Sequence, residues 1–146
     1  MAPSFDIIIP ARFASQRLPG KPLRDICGKP LIQRVYECAC NSSADSVTVA
    51  TDAPGIFRAA TSFGANACLT SGKHSSGTDR VAEAAIILRL DDRRIVVNLQ
   101  GDEPRMPGSL IDQVVEPLAA DPTARVATAC RSLERQEEYE NPDIVK

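Results

Sequence analysis

Strand-like apolar runs alternate with helix-like apolar stripes along this chain, and this alternation constrains the fold more than any other feature. The expected strands are 6–9, 46–51, 67–69, 95–100 and 126–130. Between them, apolar residues recur at helical spacing in four sets: Leu31, Ile32, Val35 and Ala39; Ile56, Ala59, Ala60 and Phe63; Val81, Ala84, Ala85 and Leu88; and Ile111, Val114, Val115 and Leu118. Repetition of strand and helix predicts a Rossmann-like α/β fold, in which a mostly parallel sheet is covered by helices on both faces.

Individual residues predict where these elements begin and end. Pro10 has no backbone N–H and is expected to end the first strand, and Gly64 is expected to close the second helix. Ser76, followed three residues later by Asp79, is a capping signal for the third helix. Pro117 is expected to kink or stop the fourth helix, because a proline inside a helix removes a hydrogen bond and crowds the preceding turn.

The loop after the first strand concentrates positive charge. Arg12, Arg17 and Lys21 lie within ten residues of one another, together with Gly20, which lets the backbone approach a ligand closely. Loops at the carboxyl ends of strands are where open α/β sheets bind ligands. An exposed charged connection could contain the same residue types, but three cations directly after a buried strand favour a site for a nucleoside triphosphate.

Acidic and amide side chains follow the fourth expected strand. Gln100, Gly101, Asp102 and Glu103 lie at its end, which a parallel sheet would place beside the cationic loop. A carboxylate at this position suits Mg²⁺, which typically binds one or two carboxylates, substrate phosphates and waters. The alternative interpretation is a solvated acidic turn before Pro104.

Three segments resemble, in this order, the signatures of the sugar-acid cytidylyltransferases, in particular the 3-deoxy-manno-octulosonate cytidylyltransferase (CMP-Kdo synthetase) family. They are 10–23 (PARFASQRLPGKPL), 73–80 (KHSSGTDR) and 98–104 (NLQGDEP). Three ordered motifs are more specific than one, and the resemblance spans nearly the whole chain. Sialic-acid cytidylyltransferases also have an arginine-rich first loop, but the RLPGKPL form with a downstream QGDEP is more similar to the Kdo branch.

The resemblance implies a fold of the nucleotide-diphospho-sugar transferase type, and transfer of a cytidylyl group from CTP to Kdo for lipopolysaccharide biosynthesis. It implies that Arg12, Lys21 and Asp102 are catalytic, that Asp102 binds Mg²⁺ and that Gln100 contacts the sugar acid. The nucleotide-binding residues that it implies are Pro10, Ala11, Arg12, Ser15, Arg17, Lys21, Ser76, Gly77 and Arg80. Ser76 can cap a helix and also bind a ligand at the same N-terminus. His74, the only histidine, is expected to hydrogen-bond within its loop rather than to act as a catalytic base.

We expect residues 1–146 to form a single nucleotidyltransferase domain that lacks the C-terminal part of the family fold. That part supplies a second metal-binding aspartate, most contacts to the sugar acid and the region that forms the family's homodimer. Two other functions stay open at this point. One is a cytidylyltransferase for another sugar acid, such as a sialic acid, and the other is a non-catalytic nucleotide-binding fragment.

Charge and composition exclude several other classes of protein. Seventeen Lys and Arg residues against nineteen Asp and Glu give a net charge of −2, without a basic run, which argues against nucleic-acid binding. No apolar stretch approaches the roughly 20 residues that span a bilayer, and the N-terminus does not resemble a signal peptide. Five irregularly spaced cysteines predict reduced thiols and a cytoplasmic location. Cys38 and Cys40 point to different faces of a helix, which favours packing over metal binding.

Overall fold

A four-stranded parallel sheet forms the centre of the molecule in the computed structural model, which describes residues 3–14, 18–130, 132 and 135–141. Its strands are β1 (Phe5–Ala11), β4 (Ser46–Thr51), β5 (Asn66–Leu69) and β6 (Ile95–Asn98), in the spatial order β5-β4-β1-β6. A separate antiparallel hairpin is formed by β2 (Asp25–Ile26) and β3 (Lys29–Pro30). Because the four strands are parallel, the carboxyl ends of β1 and β6 lie side by side.

The helices cover both faces of the sheet, as the sequence predicts. They are α1 (Leu31–Ala39), α2 (Pro54–Ser62), α3 (Gly77–Ile87), α4 (Gly108–Ala120) and the short α5 (Gln136–Glu140), with a 3₁₀ turn at Lys21–Leu23. Phe5, Ile7 and Ile9 pack into the core formed with α1, α2 and α4, whereas Ile8 packs against α3 on the other face. Adjacent residues of β1 point to opposite faces, which is why a continuous isoleucine run suits this central strand. No helix in the described part of the chain is long and apolar enough to span a bilayer.

The prediction that Pro10 ends the first strand is wrong, because β1 continues to Ala11. Ile8 accepts a hydrogen bond from the Leu99 N–H on the β6 side, and Pro10, two residues later, faces that same side. Pairing with β6 has already ended at Ile8, so the missing N–H of Pro10 removes no bond from the ladder. Pairing with β4 on the opposite side extends to Ala11 and is unaffected.

One other expectation needs correction near the end of the chain. Residues 126–130 form no strand: Val126 is 83% exposed, and in the described part of the chain β6 pairs with β1 alone. A run of strand-forming residue types cannot make a strand without a partner for its backbone. The expectation for Pro117 is confirmed, because α4 ends within one turn of it at Ala120, where the Asp121 N–H donates to the Pro117 carbonyl.

The boundaries of the other elements match the predictions closely. Gly64 has a φ of +86° directly after α2, and Ser76 caps α3 through a hydrogen bond from the Asp79 N–H to its Oγ. The strand expected at 95–100 ends at Asn98. All five cysteines are free, and the Cys38 thiol donates to the Pro104 carbonyl at 3.0 Å.

An arginine joins two carboxylates at the amino end of the sheet. Arg94 Nε donates to Asp6 Oδ2 at 2.6 Å, and its terminal nitrogens bond Asp45 and Ser4. Burial of Asp6 alone would raise the pKa of its carboxyl, but the hydrogen bonds from Arg94 and Ser46 outweigh burial and bring the pKa below the ordinary 3.8. Hydrogen bonds from Ser4 and Arg94 also lower the pKa of Asp45.

This cluster predicts a loss of stability in acid. A carboxyl whose pKa is lower in the folded state stabilises the fold above its unfolded pKa, and that stabilisation is lost as the pH falls through its folded pKa. Arg94→Gln should therefore reduce the free energy of unfolding at neutral pH more than at a pH below 3.8. Urea unfolding at the two pH values measures the difference. The neighbouring Arg93→Gln is the control, and an equal loss at both pH values in Arg94→Gln would contradict the prediction.

The β2–β3 hairpin contains a non-glycine residue in a left-handed conformation. Cys27 has φ +52° and Gly28 φ +80°, the pair of positive angles typical of a tight hairpin turn that favours Asn-Gly. Cys27 is exposed and forms no disulfide, so an asparagine side chain can point into solvent there. Cys27→Asn should raise the free energy of unfolding by up to about 1 kcal/mol, because asparagine tolerates this conformation better. Thermal unfolding of the two proteins checks it, and a lower midpoint in the variant would be the contrary result.

Candidate functional site

A two-lobed cleft opens at the carboxyl edge of the sheet, where the loops after β1 and β6 meet the start of α3. We call its two parts the charged lobe and the helix lobe. The charged lobe, of about 180 Å³, is lined by Pro10, Ala11, Arg12, Lys21, Pro22, Gln100, Gly101 and Asp102. The helix lobe, of about 110 Å³, is lined by Pro10, Ala11, Arg12, His74, Ser76, Gly77, Arg80 and Gln100. Because four residues line both lobes, the two form one continuous cleft.

The two loops of the charged lobe are joined by an ion pair. Lys21 Nζ lies 2.6 Å from Asp102 Oδ2, although 81 residues separate them in sequence. Lys21 begins a 3₁₀ turn that follows Gly20, whose φ of +69° allows the reversal of the chain. The side chains of Lys21 and Asp102 are 38% and 48% exposed, so the pair adds little to stability and both groups face the solvent of the cleft.

Two glycines allow three chain segments to converge on Pro10. A Cβ atom at Gly101 would lie 2.8 Å from the Pro10 carbonyl oxygen, a distance that no side chain could occupy without a shift of backbone. A Cβ atom at Gly77 would lie 3.3 Å from the Pro10 ring. The absence of these two side chains leaves the cleft open at the point where β1, β6 and α3 come together.

The helix lobe lies at the N-terminus of α3. Ser76 Oγ accepts from the Asp79 N–H at 3.1 Å and donates to Asp79 Oδ2 at 2.7 Å, which also lowers the pKa of the Asp79 carboxyl. The predicted cap is therefore present. Other N–H groups of the first helical turn remain at the edge of the lobe, where the positive end of the helix dipole attracts anions.

Arg80 forms the buried wall of this lobe. Its side chain is 3% exposed, and Nη1 donates to Thr70 Oγ1 at 2.5 Å and to the Ser71 carbonyl. Nη2 lies 3.3 Å from Asp52 Oδ1, a buried oxygen with no hydrogen-bond partner among the described residues. These contacts fix Arg80 before any ligand binds, so its guanidinium also holds the loop between β5 and α3.

His74 is fixed in the same loop by a carboxylate from α3. Its Nε2 lies 2.5 Å from Glu83 Oε2, which also accepts from the Ser71 N–H at 2.7 Å. Hydrogen bonds from His74 and Ser71 lower the pKa of the Glu83 carboxyl. His74 is therefore a hydrogen-bonding residue of this loop, as expected, but its partner lies on α3 and not within the loop.

Most of the residues that the sequence singled out lie in this cleft. Ser15 and Arg17 fall outside the described residues, and the other predicted positions line one lobe or both. Their assignment to nucleotide, sugar acid or metal stays a prediction. The sequence analysis did not identify Glu83 or Asp52 as neighbours of the site. For Glu83 a signal was available, because it follows Arg80 by three residues on α3, a spacing that places two side chains on the same face of a helix.

The acidic residues at the charged lobe suit a hard divalent cation whose other ligands come from the substrate and from water. Asp102 offers a partly exposed carboxylate, and Glu103 is adjacent and exposed. In the described ranges, no three His, Cys, Asp or Glu side chains are grouped so that the protein alone could hold a metal. Mg²⁺ does not need such a group, because it commonly keeps several waters and binds substrate phosphates.

This parallel sheet, with a cationic first loop facing a carboxylate across the cleft, defines an α/β nucleotidyltransferase fold. The chain belongs to the cytidylyltransferase family, whose model matches residues 7–146. The residues that match the family model include both loops of the cleft and the start of α3.

Curated relatives carry a more specific name. The chain is 53% identical over 146 residues to the 3-deoxy-manno-octulosonate cytidylyltransferase of Pseudomonas fluorescens (strain SBW25), covering 100% of this chain and 58% of that protein. It is 52% identical over 143 residues to the protein of that name from Hahella chejuensis, covering 98% of this chain and 56% of the relative. The chain thus spans little more than half the length of these relatives.

Solved structures support the same fold. A CMP:2-keto-3-deoxy-manno-octonic acid synthetase in complex with CTP matches with a TM-score of 0.76 at 43% identity, over 82% of this chain and 48% of that one. A cytidylyltransferase from Leptospira borgpetersenii matches with a TM-score of 0.67 at 23% identity, over 82% and 50%. At 23% identity, the similarity to the Leptospira protein shows a shared fold and nothing more specific.

Proposed function

We propose that this chain is the CTP-binding part of a 3-deoxy-manno-octulosonate cytidylyltransferase, which joins CTP and Kdo to give CMP-Kdo and pyrophosphate. The observation that carries the proposal is the cleft in which Lys21 and Asp102 meet across the ends of two neighbouring strands. Its support from known proteins is the roughly one-half identity to relatives of that name.

The shape and charge of the cleft suggest how CTP lies in it. The triphosphate occupies the charged lobe, where Arg12 and Lys21 supply positive charge, and the nucleoside occupies the helix lobe beside Ser76 and Gly77. Arg12 lines both lobes and so stands between the nucleoside and the outer phosphates. Gln100 also lines both lobes, and in this proposal it lies near the α-phosphate and contacts the sugar acid.

The proposed chemistry asks little covalent work of the protein. The anomeric hydroxyl of Kdo attacks the α-phosphorus and gives its proton to water, a new oxygen–phosphorus bond forms, and the bond from the α-phosphorus to the bridging oxygen breaks to release pyrophosphate. Arg12 and Lys21 orient the triphosphate and neutralise the charge that develops on it. Mg²⁺, held by Asp102, would supply further charge neutralisation when bound.

Other parts of the proposal rest on the family resemblance. They are Kdo as the acceptor, the homodimer, the cytoplasmic location and the role in lipopolysaccharide biosynthesis. The free cysteines are consistent with a reducing compartment. We do not propose binding to membranes or to nucleic acids.

A combined binding and transfer experiment tests the proposal. Calorimetry measures CTP binding to the chain in the presence of Mg²⁺, and a coupled pyrophosphate assay measures transfer to Kdo or to a sialic acid. We expect CTP binding by this chain, and transfer to Kdo by a version extended to the length of the curated relatives. Transfer to sialic acid instead would change the acceptor, binding without transfer would reduce the chain to a nucleotide-binding unit, and absence of CTP binding would overturn the proposal.

A further inference from the structure

The helix lobe contains one side chain whose hydrogen-bonding pattern is fixed from outside the cleft. His74 lines the lobe and is 20% exposed, while its Nε2 contacts Glu83. An ionised carboxylate can only accept hydrogen bonds, so Nε2 must carry the proton in this contact. In the neutral form of the imidazole, which has one N–H, Nδ1 is left with a lone pair and acts as an acceptor. Nδ1 has no hydrogen-bond partner among the described residues.

The other polar side chains of this lobe do not offer a fixed acceptor. Arg12 and Arg80 are donors only. Ser76 Oγ is engaged with Asp79 as both donor and acceptor. Gln100 donates to Asn98 Oδ1 at 3.1 Å, but a side-chain amide can turn to present either its oxygen or its nitrogen. His74, oriented by Glu83, is thus the side chain of the lobe with a defined preference for a donor.

We propose that His74 Nδ1 accepts a hydrogen bond from the exocyclic amino group of cytosine and thereby distinguishes CTP from UTP. The inference rests on the proposed function, because it requires the base to lie in the helix lobe. Cytosine and uracil differ at this position: cytosine has an amino group that donates, and uracil has a carbonyl oxygen that accepts. A carbonyl placed against Nδ1 would bring two lone pairs together and leave both without a partner.

Glu83 has a positioning role in this scheme. Its carboxylate holds the Nε2–H and the Ser71 N–H at once, so it sets both the tautomer of His74 and the path of the loop. An amide at position 83 could accept from Ser71 but could also donate to Nε2, which would move the ring proton to Nδ1. The preference of His74 for a donor would then be weakened without loss of the imidazole.

The ratio of CTP to UTP affinity tests the inference. Calorimetry on the whole chain should show that CTP binds roughly tenfold or more tightly than UTP. His74→Ala should reduce this ratio close to one, mainly through weaker CTP binding. Glu83→Gln should reduce it partly, and Ser75→Ala, in the same loop but outside the lining of the cleft, should leave it unchanged. Circular dichroism of each variant confirms that the fold is retained.

The possible failures are distinct. If the unaltered chain binds neither nucleotide, the proposed function fails. If it binds CTP selectively and both His74→Ala and Glu83→Gln keep the full ratio, only the role of His74 fails. Equal weakening of CTP and UTP in either variant would mean that the pair merely supports the loop, and equal affinities in the unaltered chain would also overturn the inference.

Discussion

In a version extended to the length of the curated relatives, Asp102→Asn is expected to lower CTP-dependent transfer by about 10²–10³ while the fold is retained, because one preorganised electrostatic group typically contributes that much. Asp102 lies at the end of β6, partly exposed and facing the loop that carries Lys21. Asparagine has nearly the same shape but no charge for a metal. The rate of pyrophosphate release with CTP, Kdo and Mg²⁺ measures the effect. Calorimetry of CTP with and without Mg²⁺ reports on the same carboxylate without requiring turnover.

Glu103→Gln provides the matched control for this prediction. It removes one negative charge from the adjacent, exposed position, so any general effect of net charge appears in both variants. We expect Mg²⁺ to strengthen CTP binding in Glu103→Gln but much less in Asp102→Asn. A normal transfer rate in Asp102→Asn would refute the assignment of this carboxylate to the metal.

Lys21→Ala should weaken the binding of CTP by roughly 10- to 100-fold, the range expected for a hydrogen bond to a charged group. CMP should be affected far less, since a lysine that serves the outer phosphates has little to contact on a monophosphate. Comparison of the two affinities by calorimetry gives the result.

Lys29→Ala is the control for this second variant. It removes the same charge, but Lys29 Nζ pairs with Glu37 of α1 at 2.7 Å and does not line the cleft. Both nucleotides should bind to it as they do to the unaltered chain. Equal losses for CTP and CMP in Lys21→Ala would indicate that Lys21 supports the loop or the nucleoside instead of the outer phosphates.

Local patterns were sufficient to predict the elements that carry most of the core. The stripe Leu31, Ile32, Val35 and Ala39 is the buried face of α1, because helical spacing alone places these residues on one side. The three isoleucines at 7–9 lie in β1, inside the sheet. A strand that is buried on both faces does not need polar residues to alternate with apolar ones. The meeting of the loops after β1 and β6 also followed from the expected winding of the sheet.

Features that depend on distant partners were beyond the reach of these patterns. Residues 126–130 contain residue types that suit a strand, yet whether a strand forms depends on a neighbouring backbone that the sequence does not specify. Arg94 meets Asp6 across 88 positions, and only the assembled sheet brings them together. The orientation of His74 likewise depends on a carboxylate nine residues away on another element. Contacts between side chains on different elements leave no signal in the periodicity or the composition of the sequence.

The convergence of backbone on Pro10 has a consequence for efforts to redesign the cleft. A side chain at Gly101 would meet the Pro10 carbonyl oxygen and displace main chain, and one at Gly77 would press against the Pro10 ring. Libraries directed at new nucleotides or acceptors should therefore hold these two positions constant. The more useful positions to vary are Arg12 and Gln100, whose side chains line both lobes of the opening.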